Sequence, residues 1–214
     1  MPQPRLQFLL SLIVYTIIVR LLPYVLMNCD IKTDPTVLYY PWNFSPMTAM
    51  CLFGGAFLAD RKMSFLLPLA TLFISDLGIL ALTGNVDWAF PTGRWGFTYF
   101  SFTVAATLGL LLRNRQPTRF PARALVLGLS FEVVFFLVSN YLVWVTWATG
   151  DQPMYANTTA GLLECYRIGL PFFGKSLLGT ATFTMLLFSP LGIRAATEAK
   201  PETPTGEMAR VRVK

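Results

Sequence analysis

The sequence predicts an all-α, polytopic membrane protein: one compact bundle of six transmembrane helices. Three observations predict it. Only 13% of the 214 residues are charged and 54% are hydrophobic, whereas a soluble domain carries about 25% charged residues; mean hydropathy is +0.54. Six stretches are apolar enough, or nearly so, to cross a hydrocarbon core that takes about 20 helical residues. The basic residues between them alternate in number from one side to the other. This composition excludes a soluble enzyme, a disordered chain and a secreted disulfide scaffold. The absence of histidine removes His–Asp catalysis and His-ligated metal or haem.

The stretches are 6–27, interrupted by Arg20; 46–59, which is short; 63–83, set off by Arg61 and Lys62; 95–112; 122–147; and 168–193. Arg5, Arg61, Lys62, Arg113, Arg115, Arg119, Arg123, Arg194, Lys200, Arg210, Arg212 and Lys214 flank one side, twelve in all, against Lys32, Arg94 and Arg167 on the other. By the positive-inside rule both termini are cytoplasmic. The net charge of +6 is therefore topology and attraction to anionic headgroups, not nucleic-acid binding. The first stretch reads as an uncleaved helix, because Arg20 breaks it and no small-residue cleavage site follows. Residues 1–193 form the six-helix domain. Residues 194–214, polar and carrying Pro201 and Pro204, read as a disordered cytoplasmic tail. Gly55 with Ala59, Ala105 with Gly109, and Ala124 with Gly128 are spaced by four and suit close helix packing.

Four ionisable residues fall within spans: Arg20, Asp76, Glu132 and Lys175. Each costs about 2.5–3.5 kcal/mol at a helix centre. At 1.5 Å per residue, Arg20, Asp76, Asn140 and Lys175 share one level in the outer part of the bilayer, and Glu132 lies deeper. Two readings fit. Arg20 and Asp76 staple spans one and three while Lys175 snorkels outward, or the four floor a cavity open to the outside. The second span favours the cavity. Ser45 suits an N-cap and Pro46 a first helical position, and a helix of about 20 Å falls about 10 Å short of the core. Its N-terminus, after Asn43 and Phe44, would point N–H groups into the cavity. All five tryptophans, Trp42, Trp88, Trp95, Trp144 and Trp147, lie on the predicted outer side with Tyr166, more than a two-sided interfacial belt explains. The loop 28–45 is long enough to act as a lid. Cys29 and Cys165 are both expected outside, where a disulfide is one option. No metal spacing, phosphate loop or nucleophile–base pair occurs, so neither a cofactor nor catalysis is expected.

Arg20 with Leu22 and Pro23, the run 43–46, Phe53-Gly54-Gly55-Ala56, Leu67-Pro68-Leu69, Ser75-Asp76, Ser139-Asn140, Val143-Trp144, Gly161-Leu162, Cys165-Tyr166, Leu170-Pro171-Phe172-Phe173 and Leu178-Gly179 recur in order. This pattern resembles an uncharacterised family of bacterial integral-membrane proteins, a domain of unknown function, over about residues 6–192. That family looks like the S components of energy-coupling factor (ECF) vitamin transporters. The resemblance implies six helices, cytoplasmic termini in the bacterial cytoplasmic (inner) membrane, a lid and a site near the outer surface. It also implies an energising transporter module as partner. Many S components dock that module through spaced alanines in the first helix, and 6–27 has none. An expected Gly-Asp is Gly179-Thr180 here, which favours Lys175 as a ligand-facing charge.

The expected function is that of a substrate-binding membrane component for uptake of a small, ring-containing, anionic nutrient, a vitamin or its precursor. Arg20 and Lys175 would neutralise it, and Asn140 and the Asn43 and Ser45 turn would hydrogen-bond it. Asp76 would hold Arg20, and Trp42, Trp144 and Tyr166 would enclose the ring. The alternative is a non-catalytic structural or assembly protein of the inner membrane. The partners are then the lipid bilayer and a small molecule.

Overall fold

A computed structural model describes residues 6–29, 31, 43–58, 60–113, 120–148 and 154–196. The described residues form helices α1 (Leu6–Asn28), α2 (Met47–Phe57), α3 (Arg61–Thr83), α4 (Val86–Ala89), α5 (Trp95–Leu111), α6 (Phe120–Ala148), α7 (Thr159–Leu187) and α8 (Pro190–Ala196), with no strand among them. The fold is all-helical. Four helices, α1, α3, α6 and α7, are long and apolar enough to cross a membrane; α2 and α5 are shorter apolar helices of 11 and 17 residues.

The last predicted span needs correction. α7 begins at Thr159, well before 168, and stops at Leu187. Glu164 and Arg167 pair on its exposed face at 2.6 Å, so the polar first turns escape a hydropathy reading while continuing the helix. The Thr158 hydroxyl accepts the Gly161 N–H at 3.3 Å and starts it. The chain turns at Phe188 and Ser189 before α8. The predicted tail lies largely outside the described residues, as do most of the predicted lid and Trp42.

α2 is the centre of the molecule. Every residue from Met47 to Ala56 is buried, as expected for a helix apolar on all sides. It packs on α3, α5, α6 and α7, whereas α1 packs mainly on α3. At the α2–α5 crossing Gly55 faces Gly109, and a Cβ on Gly55 would stand 2.7 Å from the Gly109 Cα. The small-residue reading therefore holds for Gly55 and Gly109, paired across helices rather than along one.

Phe53, Phe57 and Phe188 close the α2 C-terminal end, with ring centroids 4.6 Å (Phe53–Phe57) and 5.6 Å (Phe53–Phe188) apart. There the Arg113 guanidinium donates to the Leu58 carbonyl, a cation on the final turn of α2. The N-terminal end of α2 is unlike this, and the site lies there.

Candidate functional site

The sequence starts α2 with a turn. Asn43 adopts φ 59°, a left-handed conformation that asparagine tolerates. The Ser45 N–H donates to the Asn43 carbonyl at 2.9 Å. Pro46 occupies the N-cap, one position earlier than expected, and the Ser45 hydroxyl accepts the Met47 N–H at 3.2 Å. Gly179 of α7 backs this turn: a Cβ there would stand 3.0 Å from the Ser45 nitrogen.

Beside the turn is a cavity of about 280 Å³, just under the roughly 300 Å³ at which drug-sized ligand sites begin. Its described lining comes from α1 (Val19, Arg20, Pro23, Tyr24), the turn and α2 (Asn43, Ser45, Met47, Thr48), α3 and α5 (Ile79, Thr98, Phe102), and α6 and α7 (Phe131, Glu132, Phe135, Ser176).

Two carboxylates are held differently around it. Asp76, 4% exposed, receives the Arg20 guanidinium and the Tyr99 hydroxyl, the latter at 2.7 Å. This ties α1, α3 and α5 together, as depth along the spans predicted for the first two. Glu132, also 4% exposed, accepts three hydroxyls. Thr48 and Thr180 donate to Oε1, each at 2.7 Å, and Ser176 donates to Oε2 at 2.6 Å. Among the described residues no cation lies within ion-pair distance of Glu132, the ion pairs being Arg20–Asp76 and Arg167–Glu164.

The structure therefore brings together only part of the expected set. Arg20, Asn43 and Ser45 line the cavity, and Asp76 stands behind Arg20. Asn140, Trp144 and Tyr166 are not in the described lining; Asn140 bonds within α6, Trp144 ties α6 to the segment before α7, and Tyr166 ties α7 to α6. The Asn140 amide donates to the Phe136 carbonyl at 2.9 Å, the Trp144 indole to Ala156 O at 3.0 Å, and the Tyr166 hydroxyl to Leu137 O at 2.8 Å. Lys175 is buried at 6% exposure rather than turned outward, but its neighbour Ser176 is the residue that reaches the described lining. Glu132, expected below the site, is in its wall. Ser176 and Thr180, four apart on α7, were the available signal: they present two hydroxyls on one helix face. Cys29 and Cys165 are free thiols, the first exposed and the second buried. Cys165 lies against the Asn140 carbonyl at 3.4 Å. In the segment before α7, burial pushes the Tyr155 phenol above its ordinary value, and Cys165 adds to this.

The described tryptophans stand at the cavity's end of the bundle. Trp88 is in α4, Trp95 opens α5, and Trp144 and Trp147 close α6. α6 runs antiparallel to α5, with Phe97 stacked on Phe135 at 5.7 Å and Phe102 tilted against Phe131 at 6.1 Å.

The chain belongs to a family described as Family of unknown function (DUF6580), whose model matches residues 1–201. No curated protein and no solved structure matches it.

Proposed function

We propose that this family member is a substrate-binding membrane component that captures a small, ring-containing nutrient for uptake across a bacterial cytoplasmic membrane. The cavity at the N-terminus of α2 carries this reading. It combines fixed polar groups with aromatic walls, the usual make-up of a small-molecule site. The Phe53, Phe57 and Phe188 cluster fills the opposite end. A core filled throughout would instead favour an assembly role. The excess of basic residues on one set of flanks supports cytoplasmic termini and an outward-facing cavity. The short second helix and the turn before it support the likeness to S components.

Thr98 lines the cavity from α5 and carries no charge. Thr98→Trp is expected to fill the space without touching Arg20, Asp76 or Glu132. Native mass spectrometry of detergent-purified protein should find a small molecule on the wild type and none on Thr98→Trp. Identical spectra for the two proteins, bare or carrying only lipid, would refute capture in this cavity.

A further inference from the structure

We propose that the cavity recognises a ring carrying a neutral amide edge, a carbonyl beside an N–H as in a lactam or a primary carboxamide, and that Asn43 is the residue that reads it. The inference rests on the small-molecule reading above and adds the chemical class of the ligand.

Unused hydrogen-bonding capacity is the first argument. Several polar groups of the described lining are already engaged. Thr48 and Ser176 donate to Glu132, and the Thr98 hydroxyl donates to the Arg94 carbonyl at 3.3 Å. Asn43 differs. It lines the cavity, and its carboxamide makes no hydrogen bond among the described residues. On the same lining the Ser45 hydroxyl accepts the Met47 N–H and keeps its own proton to donate. Arg20 uses only Nη2 for Asp76, which leaves further N–H groups on the guanidinium.

Presentation is the second argument. The turn that carries Asn43 is braced. Besides the Ser45 N–H on the Asn43 carbonyl, the Phe44 ring lies against Phe183 of α7 with centroids 5.4 Å apart. Gly179 lets α7 come close, since a Cβ there would stand 3.2 Å from the Phe44 Cα. A carboxamide on a backbone held from both sides is preorganised, and that lowers the cost of binding.

The chemistry of the carboxamide then selects the ligand. It offers an acceptor and donors in one plane, so it forms two parallel hydrogen bonds with a group that sets a donor beside an acceptor, as asparagine does with adenine. A carboxylate presents two acceptors, one of which would face the Asn43 carbonyl oxygen. An ammonium presents donors alone and leaves the amide N–H without an acceptor. An amide edge satisfies both halves, and Arg20 and Ser45 offer donors for the second lone pair of its carbonyl. Phe102, Phe131 and Phe135 line the same space for the ring.

Benzamide, acetophenone and benzoate share one shape and differ only in the group beside the carbonyl. Each is titrated into the purified full chain in detergent and read by thermal unfolding and calorimetry. Benzamide should bind saturably, raise the unfolding temperature and bind more tightly than the other two. Asn43→Gly removes the carboxamide, and glycine adopts φ 59° without strain. It should weaken benzamide roughly tenfold or more, the loss of one two-point hydrogen-bonded contact, and leave acetophenone unchanged. Equal weakening of both would give Asn43 a structural role and overturn the inference, as would benzamide binding unchanged by Thr98→Trp. If acetophenone or benzoate binds at least as well as benzamide and Thr98→Trp abolishes that binding, the cavity reading stands and the amide assignment falls. If none of the three binds at millimolar concentration, the amide assignment falls, and the mass spectra of wild type and Thr98→Trp decide the cavity reading by themselves.

Discussion

Gly109→Ala is expected to destabilise the protein by about 3 kcal/mol, the upper end of the range for forcing atoms into a packed interior. An added Cβ would lie 2.5 Å from the Leu52 carbonyl oxygen and 2.9 Å from the Leu52 Cα. Both belong to the backbone of α2, so no side chain can swing away. The two helices must separate, and α2 cannot retreat because it is buried along nearly its whole length. The control lies on the same helix. A Cβ at Gly96 meets nothing within 4 Å, so Gly96→Ala should be neutral or stabilising by up to about 1 kcal/mol, since alanine is the better helix former. Unfolding of both variants in the same micelles gives the comparison. Equal effects would mean that α2 and α5 do not cross at Gly55 and Gly109.

Breaking the Arg20–Asp76 pair should cost nearly as much. Arg20→Ala leaves the Asp76 carboxylate with only the Tyr99 hydroxyl among its observed bonds, in a site where its side chain is 5% exposed. Removing one member of a buried pair costs about 3–5 kcal/mol. The Arg20 side chain is 27% exposed, which places the expectation at the lower end, about 3 kcal/mol, after solvent screening. Asp76→Asn in the Arg20→Ala background should restore part of the loss, because no charge is then stranded. The double-mutant cycle should show coupling of at least about 1 kcal/mol; strict additivity would mean that the two groups do not interact.

Depth along a span was enough to pair Arg20 with Asp76, since both are fixed by counting from basic flanks. The length of α2 was enough to place an opening at its N-terminus, because a helix shorter than the hydrocarbon thickness must start inside it. The same shortness explains the error over Glu132. Counted along α6 alone it lies too deep, but the N-terminus of α2 begins low enough for Thr48 to meet it. Depth is also blind to rotation. α6 is apolar around its circumference, so its sequence does not say which face looks inward. Asn140, placed at the right height, packs against Gly169 of α7 while bonding the Phe136 carbonyl of its own helix, and Trp144 bonds the Ala156 carbonyl before α7. Lys175 and Ser176 are adjacent in sequence and about 100° apart around the helix, and that rotation decides which reaches the described lining. The aromatic excess marked the correct end of the bundle but not the wall of the cavity, which phenylalanines of α5 and α6 supply.

The brevity of α2 also sets an order of events during biosynthesis. A helix of 11 residues is about 16 Å long, roughly half the hydrocarbon thickness, and its bare ends have no water to turn to. Alone in lipid it has no stable depth. Much of the surface that accepts it is the small-residue face of α5, which the ribosome makes only after all of α3. The nascent chain is therefore expected to complete the packing of α2 only after Gly109 has been synthesised and α5 can close on it. Placement of this segment is then expected to depend on helix docking, whereas α1 and α3 are long and apolar enough to cross a membrane on their own.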